Sequence, residues 1–461
     1  MLRLIAALFT AAIFFLTSPC FTQASNYVPS EPPEGVPRYI DDDEDNTPRQ
    51  NPNVQSEPPE GVPRYIDDDE DNTPRQNPNV QSEPPEGVPY SIDDNTQRPE
   101  KPYKPEKPYE PQTPINEPEP PIYNPPSPNL DDDGQGLEFL VYNQNGVMAF
   151  AVIADHERYQ LRPVLAGGKI PGLSRLSTMD MPGAIATVNA SYFAPNGTIY
   201  GNTRIDGLTA STTYLIRSAI GIMADGSTIF ARQSYRGTVN LNGEEYVVSG
   251  INCSRNKDTL IVYNKFNGTT TGTNEFGTEV IVQNGQITNV IHGAGNSYIP
   301  SDGFVVSANG AAAEFLANAQ IGDSLIFDED FINVEYTGDF NEAVHILGAG
   351  PTLVKNGKIY VSADAEQFPS DIRLGRAPRS AVGVTQYGDY ILAVVDGRQA
   401  HSKGCTLTEW ARILVNEFGA VEAINLDGGG STELIVRGSL VNKPSDGRER
   451  SVGSALTIVR R

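Results

Sequence analysis

Cysteine, histidine and tryptophan are scarce in this chain of 461 residues, which contains three cysteines, four histidines and one tryptophan. Beyond an apolar N-terminal segment only Cys253 and Cys405 remain, and the sequence leaves open whether they pair or stay as thiols. Two widely separated cysteines exclude a disulfide-rich scaffold and a cysteine-ligated zinc site. The histidines show no mutual metal-ligand spacing, so we expect no resident metal.

Long apolar runs are also lacking, with one exception at the N-terminus. Residues 4–16 form an apolar run that follows Arg3 and precedes Thr22-Gln23-Ala24, a small-residue cleavage pattern. The run is shorter than the roughly 20 residues that span a membrane. We therefore predict a signal peptide over residues 1–24, with an uncleaved anchor as the alternative. The mature protein is then expected to be secreted, periplasmic or cell-surface, with no transmembrane segment.

Basic residues are outnumbered, because 34 lysines and arginines face 58 aspartates and glutamates, for a net charge of −24. The excess is concentrated in residues 25–136, which hold 26 of the acidic side chains but only 8 of the basic ones. An anionic segment is repelled by the phosphates of nucleic acid. We therefore predict no nucleic-acid partner for this tail.

The same acidic tail is repetitive and rich in proline. Residues 30–55 recur unchanged as residues 56–81, and a third copy begins at Ser82 and decays after Ile92. Each repeat offers few apolar side chains, so burial cannot offset the entropy of ordering it. We predict a disordered tail over residues 25–136, ending in a proline-rich linker. It is either an envelope stalk or a segment that binds a wall polymer, or else a neutral repeat.

The remaining residues, 137–461, show the pattern of one strand-rich domain. Short runs rich in valine, isoleucine and tyrosine alternate with turns, several of which carry the Asn-Gly pair of β-hairpins, at residues 145–146, 242–243, 284–285 and 356–357. One helix is expected over residues 406–418, with Thr406 and Glu409 as a capping box and Gly419 as its stop. We predict an α+β fold, a strand-rich mixed-sheet domain with few helices.

Two aspartates stand directly after predicted strands that flank this helix. Residues 390–395 lead to Asp396, and residues 421–426 lead to Asp427. If both strands lie in one sheet, they run parallel and their carboxyl ends meet at the same edge. Three glycines follow Asp427, so we expect Gly428 and Gly429 to leave space for a ligand and to expose amide donors. A tight turn capped by an aspartate is the alternative.

Three arginines supply positive charge near these aspartates. Arg376 and Arg379 come just before a predicted strand, and Arg398 follows Asp396. A guanidinium group matches the oxygens of phosphate or carboxylate through two hydrogen bonds. A surface ion pair is the alternative for any one of them. Their coincidence with two strand-end aspartates favours an anion-binding site.

Six sequence elements resemble, in the same order, those of the phosphodiester glycosidases, the family related to the lysosomal uncovering enzyme that removes N-acetylglucosamine from a sugar phosphodiester. They are NASYF (189–193), GAGP (348–351), RAPRSA (376–381), VDGR (395–398), NLDGGGST (425–432) and NKPSD (442–446). The resemblance spans most of residues 137–461. The chain departs from the family pattern at Ala190-Ser191, which replace two small glycines, and at Glu433, where an apolar residue is common.

This resemblance implies a hydrolase that cleaves the bond between the anomeric carbon of a sugar and a phosphodiester oxygen. The departing phosphomonoester is a good leaving group, so the site needs cations for phosphate and a carboxylate for the anomeric centre or the attacking water. We expect Asp427 to be that carboxylate and Asp396 to support it or act as base. The residues expected to bind phosphate or sugar all lie within the six elements listed above. They are Arg379, Arg398, Arg376, Asn189, Asn425, Gly428, Gly429, Ser431 and Thr432.

The expected partner is therefore a sugar phosphodiester or a phosphate-linked glycan, with possible envelope attachment through the tail. No cofactor is implied, although Ca²⁺ or Mg²⁺ held by Asp396, Asp427 and phosphate stays an open alternative because hard cations prefer oxygen ligands. Two other functions also stay open. The domain is either a non-catalytic module that binds a phosphate-linked envelope polysaccharide, or a transferase in exopolysaccharide assembly.

Overall fold

The computed structural model describes residues 128, 130, 135–179, 181, 183–335 and 338–461. The predicted signal peptide over residues 1–24 lies outside the described residues, and so does almost all of the predicted acidic tail over residues 25–136. The first strand begins at Leu137.

The described residues form a strand-rich α+β domain, as the turn pattern predicts. Its helices are α1 (Leu176–Met179), α2 (Ala311–Phe315), α3 (Ser370–Leu374) and α4 (Leu407–Asn416). Its strands are β1 (Leu137–Gln144), β2 (Val147–Ala154), β3 (Tyr159–Leu165), β4 (Ser174–Arg175), β5 (Ala184–Asn189), β6 (Tyr192–Phe193), β7 (Ile199–Tyr200), β8 (Thr203–Ile205), β9 (Leu208–Ser211), β10 (Arg217–Ile222), β11 (Thr228–Leu241), β12 (Glu244–Val247), β13 (Gly250–Ile251), β14 (Leu260–Tyr263), β15 (Thr278–Gln283), β16 (Gln286–His292), β17 (Gly303–Ala308), β18 (Leu325–Asn333), β19 (His345–Gly348), β20 (Thr352–Lys355), β21 (Lys358–Ile359), β22 (Arg379–Thr385), β23 (Tyr390–Val395), β24 (Ala420–Asn425), β25 (Leu434–Val436), β26 (Ser439–Leu440), β27 (Ser451–Val452) and β28 (Ser454–Arg460).

The strands assemble into four larger sheets and two short pairs. The central sheet has the order β1-β2-β23-β22-β24-β20-β21, and the back sheet has the order β26-β25-β5-β28-β3. Two further sheets have the orders β12-β11-β10-β19-β8-β9, with β18 also on β11, and β13-β14-β17-β15-β16. The pairing is antiparallel except between β13 and β14, which run parallel, so the predicted mixed-sheet character is confirmed.

The four Asn-Gly pairs all form hairpin turns. They connect β1 to β2, β11 to β12, β15 to β16 and β20 to β21, and each of these strand pairs is antiparallel. Both residues of every pair have positive φ, from 51° to 56° for the asparagines and from 67° to 97° for the glycines. A type I′ turn requires this backbone at both central positions, which is why the Asn-Gly pair predicts the hairpins.

The central sheet is covered on both faces, and alternate residues of β23 show this directly. Leu392 and Val394 pack into the core shared with the back sheet, whereas Ala393 and Val395 pack into the core under α4. Trp410 of α4 is fully buried in that second core. The predicted capping box is present, because the Thr406 side chain accepts from the Glu409 N–H and the Glu409 carboxylate accepts from the Thr406 N–H. Burial on both faces holds the edges of the sheet in place.

The strands before and after α4 run parallel to each other, as the sequence predicts. β23 and β24 both pair antiparallel with β22, which lies between them, so β23 and β24 run parallel to each other. Their carboxyl ends, followed by Asp396 and Asp427, therefore lie at one edge of the central sheet. β22 runs the other way and begins at this edge with Arg379, which pairs with Val395.

The two cysteines do not pair, since Cys253 and Cys405 are both free thiols and Cys405 is buried. Burial raises the pKa of the Cys405 thiol to about 12, so it is a protonated core group. Within the described part of the chain, no helix is long and apolar enough to span a membrane.

Candidate active site

The triple-glycine turn after β24 forms the centre of the candidate site. Hydrogen bonds fix its backbone from two directions, because Asp427 N donates to Ala190 O at 2.9 Å and Gly429 N donates to Pro378 O at 3.0 Å. The Gly428 N–H donates to Oδ1 of Asp427 at 3.0 Å. These amides are engaged within the protein and shape the turn, and the predicted donation from Gly428 and Gly429 to a ligand stays a prediction.

The glycines make room for three different neighbours. A Cβ at Gly428 would lie 2.8 Å from the carbonyl oxygen of Pro378, and a Cβ at Gly430 would collide with the side chains of Arg450 and Asp446. Gly429 has φ +60°, which side chains disfavour. A single-glycine capped turn does not need all of this space, so the geometry favours a built site over a simple turn.

Asp427 is a buried carboxyl group at this turn. It is 7 % exposed, and burial raises its pKa from 3.8 to about 6. Hydrogen bonds from the Ser431 hydroxyl and the Gly428 N–H, together with the charge of Arg450, oppose that rise. Asp427 is therefore ionised at neutral pH and poorly solvated. A carboxylate in such surroundings, with its pKa near neutrality, is typical of catalytic sites.

Two arginines flank the turn. The guanidinium group of Arg398 lies beside Gly429, since a Cβ there would be 3.8 Å from both of its terminal nitrogens. Arg398 also has φ +58°, a strained backbone for a non-glycine residue and one that clusters at functional sites. On the other side, Nη2 of Arg450 pairs with Oδ2 of Asp446 at 2.8 Å, and the Arg450 side chain is 46 % exposed. Positive charge thus borders Asp427 from two separate segments.

Arg376 and Arg379 have a structural task that the sequence does not indicate. Arg379 is 3 % exposed, and its Nε and Nη2 donate to the backbone carbonyls of Cys405, Ile372 and Gly375. Arg376 donates to Gly404 O and pairs with Glu409, the capping residue of α4. Both side chains fasten the segment before β22 to the start of α4. Arg379 makes three hydrogen bonds in this way and Arg376 makes two, out of the five N–H donors of each guanidinium group. The predicted phosphate contacts of both side chains stay a prediction.

Asp396 is fully buried and surrounded by donors. Its Oδ1 accepts from Asn442 Nδ2 at 3.1 Å and from Lys443 N at 3.0 Å, and its Oδ2 contacts His401 Nε2 at 2.9 Å. Burial raises its pKa, and these hydrogen bonds oppose the rise. A carboxylate so enclosed orients His401 and the segment after Asn442. The predicted role of Asp396, to support Asp427 or to act as a base, stays a prediction.

Asn189 and Asn425 are both fully buried beneath the turn. The Asn189 amide donates to Asp427 O at 2.7 Å and accepts from the Ser380 hydroxyl at 2.6 Å. The Asn425 amide donates to the Tyr192 hydroxyl at 2.9 Å. These bonds join β5, β22 and β24 under Asp427. Both asparagines support the backbone that carries Asp427, and their predicted contact with substrate stays a prediction.

Ser431 and Thr432 complete the turn in different ways. Both are about 1 % exposed. The Ser431 hydroxyl hydrogen-bonds to Asp427, so it tunes that carboxylate. Thr432 Oγ1 is buried with no hydrogen-bond partner in the described part of the protein, while Thr432 O accepts from Asn442 Nδ2 at 3.0 Å. Asn442 thereby connects Asp396 to the glycine turn.

A divalent cation between the two aspartates does not fit this arrangement, because both oxygens of Asp396 face N–H groups. A group of metal-ligating side chains does occur at the opposite edge of the central sheet, where Asp155, His156 and Asp389 place their ligand atoms within 4.8 Å of one another. There Arg158 pairs with Asp155 at 3.2 Å and His156 with Asp389 at 3.3 Å. Each carboxylate of the cluster thus has a partner within the protein.

Part of this chain is similar to known proteins. Residues 276–459 match the family model described as phosphodiester glycosidase. This segment, 184 of the 461 residues, is similar to the phosphodiester glycosidase family. It contains the turn, Arg398 and Arg450, whereas Asn189 precedes it. The N-acetylglucosamine-1-phosphodiester alpha-N-acetylglucosaminidase of Mus musculus is 33% identical over 179 residues, which are 36% of this chain and 33% of that protein. The chain thus spans about a third of the length of the curated relatives it matches.

Solved structures share the fold of this chain. A hypothetical protein from Synechocystis is 26% identical with a TM-score of 0.60, and the match covers 70% of this chain and 62% of that chain. A putative exported protein from Burkholderia pseudomallei is 24% identical with a TM-score of 0.58, covering 68% of this chain and 74% of that one. The second likeness shows the fold alone.

Proposed function

We propose that this protein hydrolyses a sugar 1-phosphodiester, releasing a free sugar and a phosphomonoester. The observation that carries the proposal is the buried carboxylate of Asp427 at a turn bordered by Arg398 and Arg450. A phosphodiester brings one negative charge, which the arginines match. Its sugar carbon develops positive charge in the transition state, which the carboxylate stabilises. The same turn lies in the family segment, and the name of the mouse relative supports an α-linked N-acetylglucosamine 1-phosphodiester as the first substrate to test.

The reaction breaks the bond between the anomeric carbon and the phosphodiester oxygen. The bonding electrons leave with that oxygen, and the phosphomonoester needs little protonation because its second pKa is about 6. Arg398 and Arg450 hold the phosphate oxygens, while Asp427 faces the anomeric centre. Water supplies the new oxygen, and its proton passes to Asp427 or to the departing phosphate. His401, oriented by Asp396, lies on the Arg398 side of the site.

The direct test uses the full chain and an α-N-acetylglucosamine 1-phosphodiester. Phosphorus NMR measures the phosphomonoester and a sugar assay measures free N-acetylglucosamine, which should appear in equal amounts. Asp427→Asn should abolish both, whereas Asp389→Asn at the opposite edge of the sheet should leave them unchanged. Binding without turnover by the wild-type protein would instead indicate a binding module. Transfer of the sugar to an added acceptor would indicate a transferase.

We also propose export of the protein and display of the domain at the envelope on the acidic tail. The apolar run over residues 4–16 and the repeats over residues 30–92 support this. The test is the N-terminal peptide of the protein recovered from its host, measured by mass spectrometry. Export with cleavage predicts a new N-terminus near residue 25 in an extracytoplasmic fraction, and an intact chain in the cytosol would refute it.

A further inference from the structure

Glu433 is the most unusual ionisable residue near the site that the proposed mechanism does not use. It follows Thr432 directly and is fully buried. Its Oε1 accepts a hydrogen bond from the backbone N–H of Arg450 at 2.8 Å. Its Oε2 is also buried and has no hydrogen-bond partner among the described residues. An ionised carboxylate with one unpaired buried oxygen is very unfavourable, whereas a protonated carboxyl group is tolerated.

The charges around Glu433 act in the same direction. Burial raises its pKa to about 8, the hydrogen bond from the Arg450 N–H opposes this rise, the charges of Glu449 and Asp446 add to it, and the charge of Arg450 opposes it by a smaller amount. Glu449 itself accepts hydrogen bonds from the Ser177 N–H and hydroxyl at 3.0 and 2.8 Å, so it is held in place. On the strand side, Glu433 N donates to the amide oxygen of Asn189, which carries no charge. Glu433 is therefore a neutral acid at neutral pH.

The bond to Arg450 gives this neutral acid a role in the site. Arg450 reaches Asp446 through its side chain and acts on the charge of Asp427, while its backbone is held by Glu433. The Arg450 side chain also occupies the space that Gly430 leaves open. The hydrogen bond from the Arg450 N–H to Glu433 thus holds the backbone of the arginine that borders the glycine turn.

Building on the proposed function, we propose that Glu433 is a positioning residue: its oxygen anchors the backbone of Arg450, and in its neutral form it leaves the guanidinium group at the glycine turn, where that group binds the substrate phosphate. When Glu433 loses its proton, the new negative charge attracts the guanidinium group of Arg450 and withdraws it from the phosphate. The charge also adds to Asp446 and Glu449, which destabilises the segment that carries them. Substrate binding therefore weakens as pH rises, although neither the arginine nor the phosphodiester titrates in that range.

The kinetic test compares KM and kcat between pH 7 and 9 for the wild-type protein, Glu433→Gln and Glu433→Leu. At pH 9 about one molecule in ten retains the proton, so the wild-type KM should be roughly tenfold higher than at pH 7. Glutamine keeps the acceptor oxygen and cannot ionise, so KM should stay constant. Leucine removes the acceptor, so KM should be raised at every pH with kcat changed less. Glu449→Gln is the matched control and should retain the alkaline rise.

A second measurement separates this inference from the proposed function. Carbon-13 NMR of glutamate carboxyls, with the Glu433 signal assigned by its loss in Glu433→Gln, gives the titration without any turnover. Isothermal titration of dimethyl phosphate, a phosphodiester that does not titrate in this range, into the same proteins gives the binding at pH 7 and 9. A Glu433 signal that titrates near 4.5, or a Glu433→Gln protein whose phosphate binding weakens like the wild type, overturns the inference. If the titration of Glu433 and the phosphate binding both behave as expected but no turnover is detected, only the proposed reaction is refuted.

Discussion

Replacing Asp427 by asparagine should make the protein more stable and inactive at the same time. The pKa of Asp427 rises from 3.8 to about 6 on burial. At about 1.4 kcal/mol per pKa unit, this corresponds to about 3 kcal/mol of lost stability. Below pH 3.8 the carboxyl group is neutral in both the folded and unfolded states, so it has no effect. Between pH 3.8 and 6 the unfolded chain loses the proton first, so stability falls, and above pH 6 the full loss is present.

Asparagine is neutral at every pH and keeps an oxygen that accepts from the Gly428 N–H and the Ser431 hydroxyl. Asp427→Asn should therefore raise the free energy of unfolding at pH 7.5 by up to about 3 kcal/mol, and by nothing near pH 3.5. Urea unfolding followed by tryptophan fluorescence measures both values on the full chain. Activity on the phosphodiester should vanish in the same preparation. If the wild-type protein and Asp427→Asn were equally stable at pH 7.5, the cost of burying the Asp427 charge would be contradicted. Retained activity would contradict its catalytic role.

Three other substitutions test separate parts of the site and its support. Arg398→Ala should raise KM for the phosphodiester at least tenfold, because it removes one of two cations at the turn, and Arg398→Lys should recover part of the loss in the same kinetic assay. Gly430→Ala places a methyl group against Arg450, so KM should rise while calorimetry shows little change in Tm. Trp410→Ala opens a cavity under the central sheet and should lower the free energy of unfolding by about 3–5 kcal/mol in urea titrations.

Much of the backbone was predictable because local residue types determine it. The Asn-Gly pairs require positive φ at two successive residues, and the structure has it at all four hairpins. Thr406 and Glu409 specify the start of α4 through reciprocal hydrogen bonds. The common edge of Asp396 and Asp427 follows from a helix connecting two strands of one sheet. Each of these signals acts over a few residues or through chain connectivity, so a single sequence contains it.

The directions of the arginine side chains were not predictable in this way. Arg379 and Arg398 both lie near strand ends in sequence, yet Arg379 turns towards the carbonyls of Ile372 and Gly375 whereas Arg398 lies beside Gly429. The difference depends on packing against α4 and on the left-handed backbone of Arg398, which no neighbouring residue indicates. Arg450 was missed altogether. Its only sequence signal is its position shortly after the NKPSD element.

The protonation states of Asp427 and Glu433 together determine the pH range in which the proposed site is active. Burial raises the pKa of both carboxyl groups, to about 6 for Asp427 and to about 8 for Glu433. In the proposed reaction, between these values the first is ionised and faces the anomeric centre, while the second is neutral and leaves the guanidinium group of Arg450 at the glycine turn. Two carboxyl groups whose surroundings separate their pKa values take different roles. The kcat/KM of the proposed reaction should therefore rise through pH 6, reach its maximum near pH 7 and fall through pH 8. In Glu433→Gln the acidic limb should persist and the alkaline limb should disappear, because only the proton on Glu433 sets that limb.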